Sequence, residues 1–185
     1  MSPFYFPSDA QKDVFQKEFD RLSPVLWDNL FIRGNYALFV QNTPDGLDIF
    51  LVPKDFVNVL KEESVRKGIA IGGLQLGKLV RSYLHLSLDG AWEVNAKGGP
   101  KLLRVVLSPK GEKEFLYHKD IEWNEVMKAP SELGNNLFVF VNNRRGENLG
   151  IGTVLEEENR RSTNDRKKYY LKPILDRGSF LHDAG

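Results

Sequence analysis

The sequence predicts an α+β protein of two units, an N-terminal domain built on an antiparallel sheet followed by a compact, mostly β barrel. Three observations predict it. Helical and strand-turn-strand patterns alternate up to about residue 95, whereas beyond it short apolar runs punctuated by Gly, Pro and Asn dominate. The glycine-rich stretch Asn95-Ala96-Lys97-Gly98-Gly99-Pro100 between them reads as a linker, which divides the chain into 1–95 and 96–185. Of the 185 residues 41% are hydrophobic and 28% charged, enough apolar surface for a core and too much for disorder.

Taken in order, Ser8 and Gln11 form a capping-box pattern ahead of a helix whose apolar face is Val14, Phe15, Phe19 and Leu22, and Ser23-Pro24 ends it. Tyr36 to Val40 and Leu47 to Val52 are strands joined by the turn Thr43-Pro44-Asp45-Gly46. Pro53 opens a second helix with Phe56, Val57, Val59 and Leu60 as its apolar positions and Gly68 at its end. Leu84, Leu86 and Leu88 alternate with Tyr83, His85 and Ser87 as in a half-buried strand, turned by Asp89-Gly90. In the second unit Leu102 to Leu107 is a strand, Ser108-Pro109-Lys110-Gly111 a turn and Phe115-Leu116-Tyr117 a short strand, with a helix over part of Trp123 to Lys128. The unbroken apolar run Leu137 to Val141 is a fully buried strand that turns through Asn142 to Gly146 and pairs with Leu149 to Leu155. Glu156 to Lys168 is an exposed loop, and a last strand starts at Tyr169-Tyr170-Leu171, with Asp176-Arg177-Gly178 as a turn.

Several chemistries fall away. Without cysteine there is no disulfide, no thiolate nucleophile and no zinc-thiolate site, and an intracellular protein is expected. No apolar run spans a bilayer, and the start has no signal-peptide pattern, so no membrane association is expected. Gly72-Gly73-Leu74-Gln75-Leu76-Gly77-Lys78-Leu79 imitates a phosphate-binding P-loop, but Leu79 stands where a magnesium-binding hydroxyl is required, and a strand pattern follows where a helix is needed. These glycines read instead as close backbone packing or a bulge. Gly146, Gly150 and Gly152 lie on a hairpin rather than in a dinucleotide turn. His85, His118 and His182 have no i,i+4 partner for a metal, no nucleophile elbow is present, and Glu156-Glu157-Glu158 is a solvated charge run. Neither catalytic residues nor a metal or other cofactor is expected.

Charge is distributed unevenly. Residues 1–95 carry 10 Lys/Arg and 12 Asp/Glu, whereas 96–185 carry 16 and 13. Within 160–172 six basic residues (Arg160, Arg161, Arg166, Lys167, Lys168 and Lys172) face one acid, Asp165. Clustered cations bind phosphates by counterion release, and neighbouring aromatic rings stack on bases. Lys168, Tyr170 and Lys172 share one strand face by the two-residue period. The alternative is a solubilising loop with both tyrosines in the core.

On further segments the chain resembles the PUA-domain proteins of the nuclear-import-protein-seven type (PUA abbreviates pseudouridine synthase and archaeosine transglycosylase), which act in large-subunit ribosome biogenesis. The likeness lies in Ile71 to Leu79, His85-Leu86, Leu107 to Gly111 leading into Glu114 to Tyr117, Leu137 to Val141, Leu149 to Gly152 and Asp176 to Leu181. It departs from the family at His182-Asp183-Ala184, where that family commonly carries two arginines and a glutamate, and in a longer loop before the last strand. The resemblance implies a C-terminal PUA pseudo-barrel and binding of single-stranded, uridine-rich RNA by basic residues before and within the last strand. The positions that match the family are Lys168 and Lys172, with Arg166 and Lys167 beside them. With the charge cluster, the expected RNA-binding residues are Arg160, Arg161, Arg166, Lys167, Lys168, Tyr170 and Lys172. Of these, the Arg160-Arg161 pair in the longer loop has no family counterpart. A monomeric, non-catalytic factor for pre-rRNA processing follows, cytoplasmic or, in a eukaryote, nucleolar, with pre-rRNA, ribosome-assembly factors and the exosome as partners. Its alternatives are an accessory of RNA-modification or RNA-degradation machinery, an RNA-modifying enzyme, for which residues 1–95 are too few, and an adaptor whose basic loop meets an acidic protein.

Overall fold

The computed structural model describes residues 4–62, 65, 73–131, 134–156 and 169–178. They fall into two compact units, Met1–Leu102 and Leu103–Gly185.

The first unit is a five-stranded antiparallel sheet in sequential order, β1 (Phe4–Tyr5), β2 (Tyr36–Thr43), β3 (Gly46–Pro53), β4 (Leu74–Val80) and β5 (Tyr83–Leu86). Helix α1 (Asp9–Leu22) carries the expected capping box, in which Gln11 N donates to Ser8 Oγ at 3.4 Å and Ser8 N donates to Gln11 Oε1 at 3.0 Å. Its buried face presents Phe15 and Phe19, and Phe19 meets Trp27 and Phe31 edge-on or tilted, with centroids 5.9 and 5.6 Å away. Phe4, in a strand the pattern did not reveal, stacks on Phe39 at 5.4 Å and meets Phe50 edge-on at 5.2 Å. After Pro53 the described residues up to Leu60 form a 3-10 turn, Lys54–Phe56, and the helical turn α2 (Val57–Leu60), where Phe56 and Val59 are exposed. Gly68 lies outside the described residues.

Leu88 does not continue β5, and Asp89-Gly90 is not a turn. Both lie in helix α3 (Leu88–Lys97), whose N-cap is Ser87, and Asn95 to Lys97, read above as linker, are its last turn. Ser87 Oγ accepts from Gly90 N at 2.9 Å and donates to Gln75 O, and Ser87 N donates to Leu76 O at 3.0 Å. The cap thus fastens the helix to β4.

Of the glycine run, Leu74 to Leu79 lie in β4 and Gly72 lies outside the described residues, and the expected bulge and close packing fall within that strand. At the β3–β4 bulge Ile49 pairs with Gly77 and Phe50 with Gln75. A Cβ on Gly77 would stand 2.1 Å from the His85 carbonyl oxygen, so the strand spacing there requires glycine. Lys78 is held 2.8 Å from Asp45 and 3.5 Å from Asp48, and the first carboxylate raises its pKa. It is a cross-strand ion pair.

The second unit is a six-stranded sheet in the order β7-β11-β10-β9-β6-β8, made of β6 (Arg104–Leu107), β7 (Ile121–Glu122), β8 (Val126–Lys128), β9 (Leu137–Asn142), β10 (Asn148–Glu156) and β11 (Tyr169–Asp176). All pairings are antiparallel except β6 with β9. The sheet curls into a nearly closed barrel around Val105, Leu107, Phe115, Ile121, Val139, Val141, Leu149, Val154 and Leu171.

Two expectations for this unit are corrected. Ser108 to Gly111 is no turn and Phe115 to Tyr117 no strand: Ser108 is the N-cap and Pro109 the first residue of helix α4 (Pro109–Leu116). Of Trp123 to Lys128, only Trp123–Glu125 is helical, as a 3-10 turn, and β8 follows.

Ser108 also ties α4 to that turn. Its Oγ accepts from Gly111 N at 3.1 Å and donates to Glu125, and its N donates to Glu125 O at 2.8 Å. Lys110 Nζ lies 3.1 Å from Glu125 Oε1. The Ser108 hydroxyl first, and then Lys110, hold the Glu125 carboxyl below its ordinary 4.5. A carboxyl lowered in the folded state stabilises above its unfolded pKa and loses that contribution as pH falls through the folded one. Glu125→Gln should therefore make the urea midpoint fall less steeply between about pH 6 and about pH 3 than in the parent. Parallel slopes would remove this ion pair from the acid response.

Candidate nucleic-acid interface

Of the seven expected RNA-binding residues, Tyr170 and Lys172 are described, whereas Arg160, Arg161, Arg166, Lys167 and Lys168 lie outside the described residues. Tyr170 and Lys172 stand on one face of β11. The alternate positions Leu171 and Pro173 are buried, Tyr170 is half-buried and Lys172 exposed. The tyrosine pair is divided. Tyr169 packs against the barrel core and meets the Trp123 ring at 5.8 Å, and Tyr170 takes the opposite face.

The register extends this face across three strands. Lys172 is opposite Thr153 of β10, and Thr153 is opposite Phe138 of β9. Directly paired residues point to the same side, so Phe138, Thr153 and Lys172 form one row on the barrel's outer surface. Tyr170, opposite Leu155 on one side and Glu122 of β7 on the other, forms the next row. Phe138 is 63% exposed, against the expectation of a fully buried strand. Ile174 is also exposed, at the point where the β10–β11 register slips past Gly152. The Lys172 ammonium makes no hydrogen bond or ion pair with another described residue.

Phe138 is the residue that sequence reading missed as a site candidate. The run Leu137 to Val141 is apolar throughout and so hides which side faces out. The partner strands carry the signal, since Thr153 and Lys172, which share its row, are polar.

Gly150 and Gly152 serve the same strands. A Cβ on Gly150 would come within 1.9 Å of the Leu175 carbonyl oxygen, so β11 lies too close for any side chain there. Behind the sheet, the His118 ring is 2.7 Å from the buried Asp176 carboxylate and joins the end of α4 to the end of β11. Among the described residues no three His, Cys, Asp or Glu side chains are grouped to hold a metal. No described helix is long and apolar enough to cross a membrane.

Among its described residues the second unit is a nearly closed barrel with one α-helix and one parallel pairing, and residues 103–185 match the model of the UPF0113 PUA domain. A UPF0113 protein of Archaeoglobus fulgidus is 30% identical over 150 residues, which cover 80% of this chain and 79% of that protein. The chain belongs to the UPF0113 family. Its fold is shared by a conserved PUA domain protein from Thermoplasma acidophilum, at a TM-score of 0.58 and 14% identity over 98% of both chains. A hypothetical protein from Pyrococcus horikoshii is similar at a TM-score of 0.54 and 16% identity, over 98% of this chain and 99% of that one.

Proposed function

We propose that this protein is a non-catalytic RNA-binding factor that takes single-stranded RNA on its PUA domain. The observation that carries the reading is the outer face of β11, where Lys172 and Tyr170 stand together at the end of a segment rich in Arg and Lys. A cation with no ion-pair partner among the described residues can take a phosphate, and an adjacent ring offers a surface to a base.

The finer reading is a role in large-subunit ribosome biogenesis, acting on uridine-rich pre-rRNA alongside assembly factors or the exosome, in the cytoplasm or nucleolus. It rests on the resemblance of the motifs from Ile71 to Leu181.

The test is the pair Lys168→Ala with Lys172→Ala. Its affinity for a uridine-rich oligonucleotide should fall, and the log–log salt dependence should flatten by about one to two units, since each cation lost from a single-strand complex removes about 0.7. Unchanged affinity in the double variant would sink the site. No gel shift with single-stranded RNA at physiological salt would favour the adaptor instead.

A further inference from the structure

We infer that Phe138 is a base-stacking residue, and that the row Phe138–Thr153–Lys172 holds one nucleotide of single-stranded RNA with its base on the ring and its phosphate at the lysine. The inference rests on the RNA reading above and extends it from β11 across the sheet to β9.

Phe138 pairs with Thr153 of β10 on one side, whereas β6 meets β9 only from Phe140 onward, so among the described residues the other side of Phe138 carries no ladder partner. Its alternate neighbours Val139 and Val141 fill the core, so the barrel does not need the Phe138 ring for stability. A large ring left 63% exposed at such a place is available to a ligand. The surroundings select the ligand. Across two inter-strand spacings, about 10 Å, stands Lys172 with no ion-pair partner among the described residues, and Thr153 lies between them as a hydroxyl donor and acceptor. An apolar protein surface would desolvate that lysine without a counter-charge. A nucleotide satisfies all three groups at once, through a flat face for the ring, polar edges for the hydroxyl and a phosphate for the ammonium.

Stacking and phosphate contact leave different signatures, and the experiment separates them. Binding of the full chain to a uridine oligonucleotide of about ten residues would be followed by fluorescence anisotropy across a salt series, beside an abasic oligonucleotide of the same length. Phe138→Ala should weaken binding of the base-bearing strand about tenfold, leave its salt slope unchanged and leave the abasic strand's affinity unchanged. Phe138→Trp should restore the affinity and give a fluorescence change on binding that the parent lacks. Because the ring is exposed, both variants should fold, which their circular dichroism checks.

A parent that binds and a Phe138→Ala variant that binds equally well would overturn the stacking role and leave the RNA reading standing. Equal losses on the base-bearing and abasic strands would also overturn it. A parent that binds neither strand would overturn both readings and mark Phe138 as a protein-docking residue.

Discussion

Phe115→Ala is expected to destabilise the barrel by about 3–5 kcal/mol, the cost of emptying a phenylalanine site in a closed core. Phe115 is fully buried on α4, the one described helix of its unit, and it packs among the strand residues that line the barrel. The surrounding strands are hydrogen-bonded to one another and cannot collapse far into the void, which places the cost toward the upper end of the range. A urea titration gives the size of the effect. Hydrogen exchange gives its place, since amides of β9, β10 and β11 should lose protection. Phe115→Leu should lose less, because it leaves a smaller cavity. A Phe115→Ala midpoint within about 1 kcal/mol of the parent would contradict the packing.

Gly90→Ala should destabilise by about 2–3 kcal/mol, against the direction of helix propensity. In an exposed helix interior the exchange would gain about 1 kcal/mol. Here the new Cβ would stand 1.8 Å from the Leu76 carbonyl oxygen and 2.6 Å from its carbon. These are backbone atoms of a hydrogen-bonded strand, and no rotamer can move them away. Either α3 shifts outward, stretching the Ser87 cap from Leu76 and Gln75, or β4 bends. Thermal unfolding checks the sign, and a variant as stable as the parent would show that the helix does not lie this close.

How much was legible in the sequence depends on what each residue does in space. The β2–β3 hairpin was readable because its alternation and its Pro44-Asp45-Gly46 turn are both local signals. So was the Ser8–Gln11 capping box. Helices α3 and α4 were misread for one shared reason. Each opens Ser-x-x-Gly, as Ser87 with Gly90 and Ser108 with Gly111. Serine and glycine close together suggest a turn, yet in both cases the glycine N–H is the donor that the serine cap receives. The missing side chain serves tertiary packing, against Leu76 in one helix and Glu125 in the other, and a local pattern cannot register that. The face shared by Tyr170 and Lys172 followed from the two-residue period, but the outward position of Phe138 did not, because an unbroken apolar run has no phase.

The parallel pairing of β6 with β9 has a consequence for how the barrel is reached in time. Arg104 to Val106 can pair only after α4, β7 and β8 have been threaded between them and residues 140–142, and β7 must likewise wait for Tyr170 and Leu171 of β11. Both closures join segments distant in the chain, so their loop entropy is lost before either ladder repays it. Hairpins β2–β3 and β4–β5 bear no such delay. A growing chain therefore has short-range sheet available early, while the barrel, and with it the outer row of Phe138, Thr153 and Lys172, is completed only once β11 is present to bring its lysine into register.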